Sequence, residues 1–127
     1  MEPPRMTITA MVLDSPDASE LAAFYRRLLG WAAVADEPGW VKLRAPDGST
    51  GLSFQTEEAY VRPRWPANSG NQQMMMHLDI EVDDLAAAGS HAITAGATLA
   101  EFQPQEHVRV YLDPAGHPFC LWVIPPD

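Results

Sequence analysis

Four histidines and one cysteine are the side chains in these 127 residues best suited to acid–base, nucleophilic or soft-metal chemistry. His77 stands in an alternating stretch, Met74–Val82, with Met76, Leu78, Ile80 and Val82 on one face and Met75, His77, Asp79 and Glu81 on the other. Cys120 and Trp122 share a face of a later alternating run, Phe119–Ile124. A histidine can abstract a proton next to a carbonyl, or simply line a pocket with a hydrogen bond to a neighbour. A thiol beside a histidine becomes a reactive thiolate only with electropositive help, so a buried, inert Cys120 is the simpler reading. Asp79 is a further candidate donor, but a spacing of two along a strand places it about 6.5 Å from His77. The other histidines read differently: His117 bonds local backbone in a Gly-His-Pro turn, alternation puts His107 and Arg109 on one face at a strand start, exposed or bordering the pocket, and His91 is solvated on the polar side of a helix.

A second group of polar and aromatic residues surrounds the longest stretch without periodicity. Tyr60-Val61-Arg62-Pro63-Arg64-Trp65-Pro66 combines aromatics with two of the eight basic residues. Folded over a cleft, Trp65 would stack on a planar ligand and Arg62 or Arg64 would bind a carboxylate. Covering an open sheet edge or mediating a dimer are the alternatives. Gln55, at the end of the strand entering this loop, is a candidate hydrogen-bond donor to a ligand or a solvated strand end.

The elements that must position these residues form two copies of one plan. Thr7–Asp14 reads as a strand. Asp17 with Glu20 three residues later resembles a capping box, and Leu21, Phe24, Tyr25, Leu28 and Leu29 follow at helical spacing until Gly30. Strands are expected at Trp31–Ala35, Trp40–Arg44 and Thr50–Gln55, separated by Pro-Gly and Pro-Asp-Gly turns. The second copy starts with Met74–Val82. A helix capped by Asp83 follows, with a stripe of Leu85, Ala88, Ala92 and Ile93 ending at Gly96, and then strands at Leu99–Phe102, Val108–Leu112 and Phe119–Ile124. Corresponding positions lie 66 to 68 residues apart: Gly30 and Gly96, Asp17 and Asp84, and the turns ending at Gly48 and Gly116. The expectation is a single domain over 1–127, with modules at about 6–56 and 74–125 and a connecting loop at 57–73.

Composition bounds the function. Apolar residues are 46% and charged residues 20%, which is a globular balance. Eight basic against 17 acidic side chains give a formal charge of −9, which disfavours nucleic acid and anionic membrane and favours a cationic ligand. One cysteine excludes an intrachain disulfide, no apolar run approaches the roughly 18 residues of a spanning helix, and Met1–Arg5 has no apolar signal core behind it. A cytoplasmic protein is expected.

A tandem βαβββ repeat carrying ELAAFYRRLLGW over residues 20–31, HLDIEVDDL over 77–85 and DPAGHPFC over 113–120 resembles the vicinal oxygen chelate superfamily. That superfamily includes glyoxalase-like proteins, ring-cleaving dioxygenases and bleomycin-resistance proteins. The resemblance implies an α+β fold in which two βαβββ modules form a curved, partly open mixed-sheet barrel with helices outside, and chains that pair as homodimers. It also implies a divalent metal held by His, Gln or Glu from the first and last strands of each module. Those positions fall on His77 and Cys120, with Ala10 and Leu52 as their mates in the first module. Alanine and leucine coordinate nothing, so the expectation is no cofactor and no metal ligands, with a divalent metal on His77, Cys120 and Asp79 as the alternative. The functional reading is a protein that binds a small apolar or aromatic molecule in a cleft lined by His77, Gln55, Trp65, Cys120, Trp122 and Arg64, for sequestration or sensing. The alternatives are a lyase-, isomerase- or dioxygenase-type enzyme with His77 as the catalytic base, and a scaffold that binds a protein partner.

Overall fold

Asp17 and the two glycines that end the helices act where their spacing predicts. The structure, a computed structural model, describes residues 3–126. Strand β1 (Ala10–Ser15) leads into α1 (Ala18–Leu29), followed by β2 (Ala32–Glu37), β3 (Trp40–Arg44) and β4 (Gly51–Thr56). The Asp17 carboxylate accepts the Glu20 backbone N–H at 3.2 Å, and the hydroxyls of Ser15 and Thr56 accept the N–H groups of Asp17 and Ala18 at 3.0 Å each. Three of the donors at the start of the helix are thereby satisfied, two of them by strand ends. Gly30 closes the helix at φ 73°, donating to the Arg26 carbonyl at 2.8 Å. Between the caps α1 buries Leu21, Phe24 and Tyr25, and Tyr25 stacks on Phe54 of β4 with ring centroids 5.5 Å apart.

The second copy comprises β5 (Leu78–Glu81), α2 (Leu85–Ala95), β6 (Thr98–Leu99), β7 (Val108–Leu112) and β8 (Pro118–Trp122). Its helix is capped by Asp84 rather than by the expected Asp83. Asp84 is the extended residue (φ −144°), and its carboxylate accepts the Ala87 N–H at 3.0 Å. The buried face of α2 is Gly89, Ala92 and Ala95, and the expected stripe residue Ile93 is exposed. The Tyr111 hydroxyl lies over Gly89, where a Cβ would overlap it, so this small-residue face is the one that approaches the sheet.

Each copy forms its own four-stranded sheet, in the order β1-β4-β3-β2 and β5-β8-β7-β6. The first and last strands of a copy pair in parallel and the other neighbours antiparallel. Among the described residues, two helices with two four-stranded mixed sheets give the expected α+β architecture, and no strand pairing closes the sheets into a barrel. Met74–Val82 and Leu99–Phe102 contract to the short β5 and β6, because residues such as Met76 and Phe102 form no ladder there. The chain divides into two compact units between Glu58 and Ala59, so most of the expected connecting loop belongs to the second. No described helix is long and apolar enough to cross a membrane.

Candidate functional site

Register decides which side chains share a face. In the second unit Phe119 pairs with Tyr111 and stacks on it at 5.9 Å, and Tyr111 reaches α2. Phe119 and Leu121 therefore face the helix. The intervening Cys120 and Trp122 face the other way, where Cys120 lies between Asp79 and Val110, and Trp122 between Glu81 and Val108. His77 precedes β5, so the strand's pleat does not hold it. Its ring turns back, bringing Nε2 to 3.0 Å from an Asp79 carboxylate oxygen. This corrects the spacing estimate: donor atoms of His77, Asp79 and Cys120 all lie within 4.8 Å of one another.

The three residues stand in an open cleft of about 480 Å³, shared with Glu106, His107, Val108 and Trp122. Among the described residues, no lysine or arginine lines it. Burial, then the Asp79 charge and an Asp79 hydrogen bond, push the Cys120 thiol up to about 11. The electropositive neighbour that a thiolate nucleophile needs is thus replaced by a carboxylate, and the thiol is neutral at physiological pH.

The other candidate residues lie elsewhere. The Trp65 indole N–H donates to the Phe102 carbonyl at 3.2 Å and its ring leans on Phe102, while Arg64 is exposed and donates its backbone N–H to Gln72 at 2.8 Å. Neither lines the cleft. The loop is instead tied to the β7–β8 turn: the Tyr60 hydroxyl donates to the Ala115 carbonyl at 2.8 Å and Arg62 to the Pro114 carbonyl at 3.1 Å. Gln55 belongs to the first unit, where its amide donates to Asp14 at 2.7 Å. His107 and Arg109 do not share a face as alternation predicts, because His107 precedes β7. His107 borders the cleft, and the Arg109 guanidinium donates to the carbonyls of Gln105 and Glu106, holding the loop that forms one rim. Sequence reasoning overlooked Asp113, which is fully buried. Its carboxylate accepts the N–H groups of Ala115 and His117 and faces the His117 ring at 2.8 Å. The Asp-Pro-Ala-Gly turn was the available signal for it.

A family model for the glyoxalase-like domain matches residues 10–122. The chain belongs to that family. Solved structures agree on the fold. A glyoxalase/bleomycin resistance protein/dioxygenase family enzyme from Burkholderia phytofirmans PsJN superposes with a TM-score of 0.72 at 21% identity, over 94% of this chain and 100% of that one. A glyoxalase-related enzyme from Fulvimarina pelagi gives 0.68 at 19%, over 95% and 90%. A lactoylglutathione lyase from Agrobacterium tumefaciens gives 0.62 at 18%, over 95% and 96%. No curated protein matches the sequence.

Set against this glyoxalase-like fold, the donor positions change in one respect. The parallel ladders pair Met11 with Leu52 and Leu78 with Phe119, a constant offset of 67. Ala10 is therefore the mate of His77, but the mate of Cys120 is Ser53 and not Leu52. The offset of 68 at the preceding turn is lost because the chain from Gly116 to β8 is one residue shorter than that from Gly48 to β4. Leu52 is buried on the same strand face as Phe54, which stacks on α1. The four-residue set implied by the resemblance does not fit this chain, since Ala10 has no donor. A nitrogen, an oxygen and a sulfur from His77, Asp79 and Cys120 remain together in the second unit.

Proposed function

We propose that this glyoxalase-like chain holds a small molecule with an apolar or aromatic body in the cleft of its second unit, for sequestration or sensing. The observation that carries this reading is the open cleft itself, with Trp122 and Val108 as an apolar wall beside the polar His77 and Asp79. An indole can stack on a planar ligand, and Asp79 and Glu106, with no lysine or arginine in the lining, favour a cationic over an anionic one. A cleft packed shut would have favoured the scaffold reading. The homodimer that the resemblance implies stays part of the proposal, and a one-chain mass in sedimentation equilibrium would remove it.

Thermal shift in chelator-containing buffer tests the reading with N-methylquinolinium, 2-naphthol and 2-naphthoate. The cation or the neutral probe should stabilise the protein saturably, by about 2.7 kcal/mol at a hundredfold excess over Kd. Trp122→Ala should abolish the shift. No saturable shift with any probe, or an unchanged shift in Trp122→Ala, overturns the proposal.

The 3.0 Å His77–Asp79 contact favours a second reading, in which the carboxylate orients His77 as a general base next to a carbonyl. His77→Ala would then abolish turnover of a bound ketone while leaving its binding within a few fold.

A further inference from the structure

We infer that His77 Nε2, an Asp79 carboxylate oxygen and Cys120 Sγ form a site for a zinc-type divalent cation contained within the second unit. The site lies in the same cleft and shares His77 and Asp79 with the small-molecule reading, but it needs no organic ligand. Its basis is convergence: the three donor atoms lie within 4.8 Å of one another, and the closest pair is already 3.0 Å apart. Asp79 and Cys120 pair across the parallel β5–β8 ladder, and His77, just before β5, reaches the Asp79 carboxylate. The backbone of β5 and β8 thus holds two of the three in register.

The donor types select the cation. Imidazole with a thiol suits zinc or cobalt, whereas magnesium and manganese want oxygen donors. Three protein donors are the number found in zinc sites that keep a position open. Charge agrees with this choice. On binding, Cys120 loses its proton to solvent, leaving a thiolate and a carboxylate to face two positive charges in a cleft without lysine or arginine. The mates of the three in the first unit are Ala10, Val12 and Ser53 at the offset of 67, so those positions hold no equivalent set.

Titration of reduced, chelator-treated full-length protein with Co²⁺ tests the site. A near-ultraviolet sulfur-to-cobalt charge-transfer band should saturate at one equivalent. Zn²⁺ should displace it, and a large excess of Mg²⁺ should not. Cys120→Ser should lose the band, and Asp79→Asn and His77→Gln should weaken Co²⁺ binding at least tenfold. In the wild-type protein, Zn²⁺ should shift the His77 ring resonances while those of His91 and His117 stay in place, a readout that needs no variant to fold. No band at millimolar Co²⁺, a band surviving in Cys120→Ser, unchanged affinity in Asp79→Asn, or unmoved His77 resonances overturns the inference.

Discussion

The two units share strand order, parallel and antiparallel pairing and helix caps, yet they spend their side chains differently. On the strand faces away from the helices, Ala10, Val12, Ser53 and Gln55 in the first unit correspond to His77, Asp79, Cys120 and Trp122 in the second. On the helix faces the contrast reverses. The first unit packs Phe24, Tyr25 and Phe54 into an aromatic cluster, with Phe24 edge-on to Tyr25 at 4.8 Å, under an amphipathic helix. The second lays Gly89, Ala92 and Ala95 on its sheet. Backbone ladders specify the topology in both, so the same plan tolerates a chemical row in one copy and an inert row in the other.

The largest effect that would sharpen this contrast belongs to the aromatic cluster. Phe54→Ala removes a fully buried ring from both β4 and the Tyr25 stack, and should destabilise the protein by about 3–5 kcal/mol in urea unfolding. Trp122→Ala, at a half-buried cleft position, should lower stability far less. Equal losses would dissolve the distinction between a packing face and a binding face.

A middling effect is expected where the helices meet their sheets. Gly89 in α2 corresponds to Ala22 in α1 at the offset of 67, and the buried Ala22 already carries the methyl group that Gly89 lacks. A methyl on Gly89 meets the Tyr111 hydroxyl, so Gly89→Ala should cost roughly 1–3 kcal/mol through overpacking, despite its better helix propensity. Adding Tyr111→Phe should return most of that loss. A stabilising Gly89→Ala would show that the second unit is as loosely determined as its alanine-rich helix suggests.

How legible all this was in the sequence depended on whether the signal was local. The repeat, both helices and two strands, Trp40–Arg44 and Val108–Leu112, could be read to the residue or nearly so, because turns, caps and periodicity are encoded within a few positions. His77, Cys120 and Trp122 were placed in one group by alternation and repeat spacing. Asp79 was set too far from His77, because alternation assumes a strand and His77 lies just before one. Trp65 and Arg64 were assigned to the cleft from residue type alone, and the tie between Tyr60 and Ala115 that fixes their loop spans 55 residues. Such a contact leaves no trace in local pattern. The choice of Leu52 over Ser53 failed by a single residue in a turn, and one residue reverses every face beyond it.

The smallest effect bears on whether the copies remain equivalent where the sequence says they are. Asp17 and Asp84 occupy corresponding caps, each with an extended backbone and a carboxylate accepting the N–H three residues on, at 3.2 and 3.0 Å. Each change to alanine should cost about 1 kcal/mol in urea unfolding. The caps lie in separate units and accept from different residues, Glu20 and Ala87, so the double variant should lose the sum within about 0.3–0.5 kcal/mol. Any inequality should favour a larger loss at Asp17. Its backbone N–H is already held by Ser15 and its neighbour's by Thr56, so the first helical turn is fixed and cannot rearrange to recover the lost bond. A larger loss at Asp84 would mean that the alanine- and glycine-rich helix depends on its cap more than the aromatic-packed one does, which would put the weaker scaffold directly behind the cleft.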